Sequence, residues 1–119
     1  MAVRRRTYKV AEQIRMSVAS SLRKVADPRL ELATITSVSV SADLRHAKVY
    51  WMGHDRSKIE DMQRAFDGAS GFFKRQLAKD LRIKAIPELR FYYDDTLDTR
   101  EEINALLERV SLAEGSESK

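Results

Sequence analysis

Residues 59–81 read IEDMQRAFDGASGFFKRQLAKDL, and the apolar positions of this stretch decide the fold. They recur at steps of three or four, which is the period of one helical face: Ile59, Met62, Phe66, Ala69, Phe73, Leu77 and Leu81. Gly68-Ala69-Ser70-Gly71 interrupts the stretch, since each interior glycine costs a helix about 1 kcal/mol relative to alanine. The apolar stripe nevertheless keeps its register across this break. The stretch therefore predicts two consecutive helices that share one buried face.

Three basic residues, Lys74, Arg75 and Lys79, follow the break at once. A break of this kind gives the second helix free backbone N–H groups and the positive end of its dipole, and glycine lets another backbone approach closely. The combination favours contact with a phosphate backbone. Because the register survives, we expect Gly71 to need a positive φ or a close backbone contact, and Gly68 to need it less. A plain turn between core helices, followed by solvated basic residues, stays open because short glycine motifs are common.

Length and charge limit the class of protein. The 119 residues predict a single domain over residues 1–110, with a basic N-terminal arm at 1–6 and a disordered polar tail at 111–119. The net charge is +6 for residues 1–26, +3 for 27–93 and −5 for 94–119. A basic body with an acidic end suggests a polyanionic partner.

Several classes are disfavoured by what the sequence lacks. It has no cysteine, which excludes disulfides, thiolate chemistry and cysteine metal sites. No apolar run of signal-peptide length follows the basic start, and no 18 consecutive residues are apolar. We expect a cytoplasmic protein without membrane contact.

The residues before the central stretch predict a helix and a strand pair. Thr7 can cap a helix whose apolar face is Val10, Ile14, Val18, Leu22 and Val25. Asp27-Pro28-Arg29 ends that helix, since the residue before proline avoids the helical region. Two alternating patterns then follow: Thr36, Val38 and Val40 between serines, and Ala47, Val49 and Trp51 within His46 to Met52. They predict an antiparallel hairpin that turns between Ser41 and Arg45.

The flanks of the central stretch carry similar signals. Ser57-Lys58-Ile59-Glu60 has the form of a capping box that opens the first of the two helices, and Thr99-Arg100-Glu101-Glu102 repeats that form. A third strand is predicted where Leu89, Phe91 and Tyr93 alternate with Arg90 and Tyr92. A last short helix is predicted from the stripe Ile103, Leu106, Leu107 and Val110.

The element order is thus helix, strand, strand, helix, kink, helix, strand, with an extra C-terminal helix. Strands with one apolar face need helices over that face only, which predicts a two-layer α+β domain. The third strand returns after a helical crossover, so it can lie parallel to the first strand in a mixed three-stranded sheet. A small glycine motif between two such helices is the arrangement of a KH module, whose loop clamps a nucleic-acid backbone.

Five segments in this order and spacing resemble the ribosome-binding factor A family: Asp27-Pro28-Arg29, Val38-Ser39-Val40-Ser41, residues 43–50 (DLRHAKVY), residues 69–77 (ASGFFKRQL) and residues 87–91 (PELRF). The resemblance covers roughly residues 10–94 and implies a KH-like fold of the second type, in which an Ala-x-Gly helix kink replaces G-x-x-G. Ala69-Ser70-Gly71 matches the kink. Gly68 also completes a literal G-x-x-G, which leaves open whether the break is a kink or a small loop.

The resemblance implies a non-catalytic role without cofactors. A member of this family is expected to bind the immature small (30S) ribosomal subunit as a monomer and to contact its 16S rRNA near the decoding region. It is expected to assist late maturation and rRNA processing, and to be released by a ribosome-associated GTPase.

Basic residues along the body are candidates for phosphate contacts, because each neutralised phosphate adds to a salt-dependent affinity. Together with the break they form the predicted RNA-binding set: Arg45, Lys48, Arg64, Gly68, Ala69, Ser70, Gly71, Lys74, Arg75, Lys79, Arg82, Lys84 and Arg90.

Three other functions are compatible with parts of the sequence. An enzyme would need converging titratable groups, and the sequence offers only His46 and His54, with Asp43 and Asp55 nearby. A generic single-stranded RNA-binding KH-like module could instead use an exposed sheet face, with Tyr50 and Tyr92 as a stacking platform beside Lys48 and Arg90. A protein-interaction domain would bind its partner with weak salt dependence.

Overall fold

The residues that the structure describes form four α-helices and three strands in the following order: α1 (Ala2–Ser21), β1 (Thr34–Val40), β2 (His46–Met52), α2 (Ile59–Gly68), α3 (Ser70–Asp80), β3 (Glu88–Tyr93) and α4 (Thr96–Glu117). Short 3-10 helices at Pro28–Leu30 and Arg56–Lys58 precede β1 and α2. The structure is a computed structural model that describes residues 2–117, without the side chains of residues 2–4, 97, 99 and 111–117.

The three strands form one mixed sheet in the order β1-β2-β3. β1 runs antiparallel to β2, with Val38 opposite Val49. β3 runs parallel to β2, with Phe91 opposite Val49. The helical crossover from β2 through α2 and α3 to β3 makes this parallel pairing possible. The predicted hairpin and the predicted mixed sheet are both confirmed. The expectation that the third strand lies parallel to the first is wrong, because β3 pairs with β2 and runs opposite to β1.

The apolar stripe of residues 59–81 packs on one face of the sheet. Met62, Phe66, Phe73, Leu77 and Leu81 are buried. The Phe66 ring lies 5.0 Å from that of Trp51 on β2 and 5.0 Å from that of Phe91 on β3, measured between centroids. Aromatic contacts at this spacing add specific geometry to the burial of apolar area. The stripe therefore fixes α2 and α3 over β2 and β3, which confirms the prediction that helices cover one face of the sheet.

One polar side chain crosses this core. The indole N–H of fully buried Trp51 donates to Gln63 Oε1 at 2.9 Å, and Gln63 Nε2 donates to the Phe91 carbonyl oxygen at 2.7 Å. A buried donor left without a partner would cost free energy. Gln63 thereby ties α2 to both β2 and β3.

A β-bulge changes the pattern predicted for β1. Thr36 was expected on the same face as Val38 and Val40, but the register shifts between Ile35 and Ser37. Ile35 pairs with Trp51 and is buried, whereas the Thr36 hydroxyl donates to Asp94 Oδ2 at 2.6 Å. A bulge places two residues opposite one, so core residues on either side of it lie three positions apart.

The helix starts differ from the capping predictions. Asp55 caps the 3-10 helix Arg56–Lys58, and its carboxylate accepts from the Ser57 N–H at 3.0 Å. The N-cap residue of α2 is Lys58, which makes no side-chain cap hydrogen bond, so the capping box at Ser57 is wrong. Before α4, Asp94 Oδ1 accepts from the Thr96 N–H at 3.0 Å, so this helix begins before Thr99. Aspartate is favoured at helix starts because its carboxylate accepts hydrogen bonds from backbone N–H groups. Asp55 and Asp94 both precede the four-residue segments, 57–60 and 99–102, that have the form of a capping box.

The outer helices are longer than predicted. α1 begins at Ala2, so Thr7 lies within it rather than at its cap, as the high helix propensity of the three arginines allows. α4 continues to Glu117 through residues of the predicted tail, and residues 118–119 lie outside the described part. Its apolar stripe is at least half exposed: Ile103, Leu106, Leu107 and Val110. The division into an arm, a domain and a tail stays a prediction.

With helices over one face of a mixed three-stranded sheet, the fold is the predicted two-layer α+β arrangement, KH-like and of the second type.

Candidate nucleic-acid interface

The break between α2 and α3 is a kink at a single residue. α2 ends at Gly68, α3 begins at Ser70, and Ala69 between them has φ −95° and ψ 4°. The Ala69 N–H donates to the Ala65 carbonyl oxygen at 3.0 Å, and the Ala69 carbonyl oxygen accepts from the Phe73 N–H at 3.1 Å. Helical hydrogen bonds thus continue through the bend. Of the two possibilities left open by the sequence, the kink is the one observed.

Neither glycine of the kink is required by the backbone. Among the described residues no glycine has a positive φ, so the expectation for Gly71 is wrong on that point. A Cβ at Gly68 would meet nothing within 4 Å, and one at Gly71 would meet only the end of the Arg75 side chain, with Nη1 at 3.4 Å. The expected close backbone contact is therefore absent within the part of the chain that the structure describes. Ala69 makes the bend in a conformation open to any residue, and the glycines leave the surface at the kink flat and exposed.

A basic strip runs along α3 from the kink. Gly71, Arg75 and Lys79 are spaced by four residues and lie on one helical face. The side chains of Arg75 and Lys79 are exposed and make no ion pair or hydrogen bond with the described part of the chain. We call Lys74, Arg75 and Lys79 the α3 strip. Within this strip, the Lys74 amine is paired with Glu88 Oε2 at 3.1 Å.

A second group of predicted residues meets in a cleft of about 750 Å³ at one end of the sheet. Arg45 comes from the β1–β2 turn, and Arg82 and Lys84 from the segment between α3 and β3. Arg6 and His46 also line this cleft, and the sequence prediction missed both. The available signal was the spacing of Arg6, which lies four residues before the core residue Val10 and so shares its helical face.

The acidic residue on the cleft turn is engaged locally. Asp43 Oδ1 accepts from the Ser41 hydroxyl at 2.6 Å and from the Arg45 N–H at 3.1 Å. These hydrogen bonds, the one from Ser41 first, lower the pKa of Asp43 below its ordinary value. The carboxylate therefore stays ionised at neutral pH while it holds the turn that carries Arg45.

The remaining predicted residues lie apart from both groups. Lys48 and Arg90 are neighbours on the open face of the sheet, beside the Tyr50 and Tyr92 rings, whose centroids lie 5.8 Å apart. Arg64, on α2, pairs with Asp61 at 3.3 Å. The thirteen predicted residues therefore do not form one patch, and their contact with RNA stays a prediction.

The two histidines, which an enzyme or a metal site could use, lie apart from each other. His46 lines the basic cleft, while His54 lines a different depression near Pro28 and Met62. Within the described part of the chain, no three His, Cys, Asp or Glu side chains group as metal ligands. Across that same part, no helix has the length and apolar character needed to cross a membrane.

The mixed sheet with helices over one face and the kink between α2 and α3 define a KH-like domain of the second type. Sequence comparison gives the family: the chain belongs to the ribosome-binding factor A family, whose family model matches residues 6–107.

Relatives and solved structures agree with this assignment. Ribosome-binding factor A of Pseudomonas syringae pv. syringae (strain B728a) is 34% identical over 114 residues, covering 92% of this chain and 83% of the relative. The crystal structure of ribosome-binding factor A from Thermus thermophilus superposes with a TM-score of 0.67 at 26% identity, covering 73% of this chain and 94% of that one.

A third comparison involves the ribosome. A homology model of the Thermus thermophilus factor, fitted into a cryo-EM map of its complex with the 30S subunit, matches with a TM-score of 0.59 at 26% identity. It covers 71% of this chain and 90% of that one.

Proposed function

We propose that this protein binds the small (30S) ribosomal subunit through its 16S rRNA and assists late maturation of the subunit and rRNA processing. The observation that carries the proposal is the family match over residues 6–107. The similarity to a factor fitted into a map of a 30S complex supports the same partner. Membership in this family does not favour a generic single-stranded RNA-binding module.

The α3 strip and the kink are the proposed primary contact with rRNA. Exposed Arg75 and Lys79 have no acidic partner in the described part of the chain, so binding a phosphate would not first require an ion pair to break. The exposed glycines Gly68 and Gly71 leave room for a sugar-phosphate backbone beside them. Such contacts release counterions, and the affinity should fall as salt rises.

The acidic α4 should set the orientation on the subunit. Its side chains Glu101, Glu102 and Glu108 are exposed, and the net charge of residues 94–119 is −5. Repulsion from rRNA phosphates would keep α4 away from the RNA while the basic body approaches it. The helix would then point towards solvent or towards a protein neighbour.

The protein is proposed to act by binding alone, as a cytoplasmic monomer without a cofactor, and to be released by a ribosome-associated GTPase. Supporting this, the two histidines lie in separate depressions rather than in one site. A binding role needs release, because a factor held by several phosphate contacts would otherwise stay on the finished subunit.

Sedimentation of the tagged protein through a sucrose gradient of cell lysate tests the proposal. We expect comigration with the small subunit and loss of comigration in high salt. Sedimentation only at the top of the gradient, or equally with complete ribosomes, would contradict it.

A further inference from the structure

We infer that the cleft formed by Arg6, Arg45, Arg82 and Lys84 holds one unpaired nucleotide of an RNA strand, with the base on its apolar floor and the phosphates on its basic rim. The inference rests on the proposed function and deepens it, since it names the form of RNA that one part of the surface selects. The cleft is distinct from the kink and the α3 strip.

Three separate segments of the chain contribute cations to the rim of the cleft. Arg6 lies on α1, Arg45 on the β1–β2 turn, and Arg82 and Lys84 on the segment after α3. All four side chains are exposed, and none makes an ion pair or hydrogen bond with another side chain that the structure describes. Like charges converging without acidic partners repel one another, and a bound polyanion removes that repulsion.

Two acidic residues, Asp43 and Glu88, also line the cleft, and neither forms an ion pair with a rim cation in the described part of the chain. Asp43 is engaged by the Ser41 hydroxyl and the Arg45 N–H. Glu88 pairs at 3.1 Å with the amine of Lys74, a residue that does not line the cleft. The cleft therefore has four cations against two carboxylates, a net charge of +2, and the side-chain N–H groups of all four cations are left for a ligand.

The floor is apolar. Val10, Ile83 and Ile86 line the cleft, Val10 being 7% exposed and the two isoleucines half-buried. Phosphate binding alone requires no apolar surface. A base that is not stacked on another base can pack against the apolar floor and cover it. The volume of about 750 Å³ lies within the range of small-ligand pockets and accommodates a nucleotide.

The turn beside the cleft is held in an unusual conformation. Leu44 has φ 60°, the one positive φ among the described non-glycine residues. The Leu44 N–H donates to the Ser41 carbonyl oxygen at 2.9 Å, and the Ser41 N–H donates to the His46 carbonyl oxygen at 2.9 Å. A left-handed leucine costs free energy, and such residues cluster at binding sites. Here it fixes the wall that carries Arg45.

Binding of the full-length protein to two fluorescent probes tests the inference: a 12-nucleotide single-stranded RNA and a blunt 12-base-pair RNA duplex. Wild type should bind the single strand more tightly than the duplex. The double variant Arg45→Glu/Arg82→Glu should lose at least tenfold in affinity for the single strand, with a salt slope reduced by about two. The matched control Arg23→Glu/Lys24→Glu has the same change in charge at the other end of α1, about 20 Å away, and should lose less than threefold.

A third variant separates the floor from the rim. Ile83→Asn should weaken single-strand binding by threefold or more with an unchanged salt slope, because it removes apolar contact and no charge. Circular dichroism melting verifies that each variant is folded. Equal binding of both probes by wild type, or equal losses in the cleft variant and its control, would overturn the inference.

Pelleting of wild type with purified small subunits tests the proposed function separately. If wild type pellets but the cleft double variant keeps its single-strand affinity, the cleft inference alone fails. If wild type does not pellet while single-strand binding depends on the cleft, the proposed function fails and the cleft inference stands.

Discussion

The Lys74 amine lies 3.1 Å from Glu88 Oε2 and so joins α3 to the first residue of β3. Both side chains are substantially exposed, at 45% and 60%, and an exposed pair of this kind contributes little to stability. Its larger effect is electrostatic. Glu88 lies between the α3 strip and the basic cleft, and it occupies one cation that RNA could otherwise contact.

Replacing Glu88 with glutamine should therefore strengthen binding to the small subunit. The change frees Lys74 and removes one negative charge, so we expect the affinity at low salt to rise severalfold and the salt dependence to steepen. Pelleting with purified subunits at several salt concentrations measures both. The control Glu60→Gln removes the same charge from an exposed position on α2 that has no ion pair in the described part of the chain. An equal gain in the control would assign the effect to net charge alone.

Alanine at Gly71 should stabilise the protein and weaken its binding. The backbone there has no positive φ, so alanine should add about 0.4 to 1 kcal/mol of stability through the unfolded state. If RNA approaches the exposed backbone at the kink, the new methyl group obstructs that approach. Chemical denaturation and subunit pelleting on the same protein measure the two effects.

Gly68→Ala is the matched comparison, since its Cβ would meet nothing within 4 Å. It should stabilise the protein by a similar amount. A destabilised Gly71→Ala protein would show that the kink needs glycine, contrary to the geometry of Ala69.

Much of the fold could be predicted because periodic burial dominates it. The stripe from Ile59 to Leu81 and the alternation in β2 each determine which face is buried, and the structure confirms both. The bulge at Thr36 could not be predicted, since the shift of one residue leaves Val38 and Val40 packed against the core and buries Ile35 in it. The pattern of residues within β1 does not show how β1 pairs with β2, and the bulge is a feature of that pairing.

The site was less predictable for a related reason. Basic residues can be counted in sequence, but whether a cation is free depends on tertiary neighbours, as with Lys74 and Glu88. Arg6 was assigned to an arm because a basic segment at a chain start has no apolar pattern of its own. Only the helical start of α1 brings it beside Arg45.

Gln63→Leu should destabilise the fold by about 1 to 3 kcal/mol, because it leaves the fully buried Trp51 N–H without a partner. Trp51 is the single tryptophan of the chain, so its fluorescence reports denaturant unfolding directly. The control Gln13→Leu, at an exposed position on α1, should stay within about 0.5 kcal/mol of wild type. Equal effects of both substitutions would argue against a role for the Trp51–Gln63 hydrogen bond.

Asp94 should make stability depend on acid pH. Hydrogen bonds from the Thr36 hydroxyl, then from the Thr96 hydroxyl and N–H, lower the pKa of Asp94 below its ordinary value of 3.8. Because the folded pKa lies below the unfolded one, the contribution is complete above about pH 4 and is lost as pH falls through the folded value.

Thermal melts from pH 6 to pH 2 should show wild type more stable than Asp94→Asn at the upper end, with the difference shrinking towards the lower end. Asp95→Asn, at an exposed neighbour, is the control. A difference that stays constant with pH would exclude this role for Asp94.

The most direct test of the proposed function is pelleting of purified protein with purified small subunits, comparing wild type with the triple variant Lys74→Glu/Arg75→Glu/Lys79→Glu. The control Arg23→Glu/Lys24→Glu/Lys58→Glu has the same change in charge on exposed residues outside the α3 strip. With folding verified by circular dichroism, we expect wild type to pellet and to weaken at least tenfold between about 50 and 200 mM salt. The α3 variant should fall to background while the control keeps most of its binding, and a folded α3 variant that pellets as well as wild type would contradict the account.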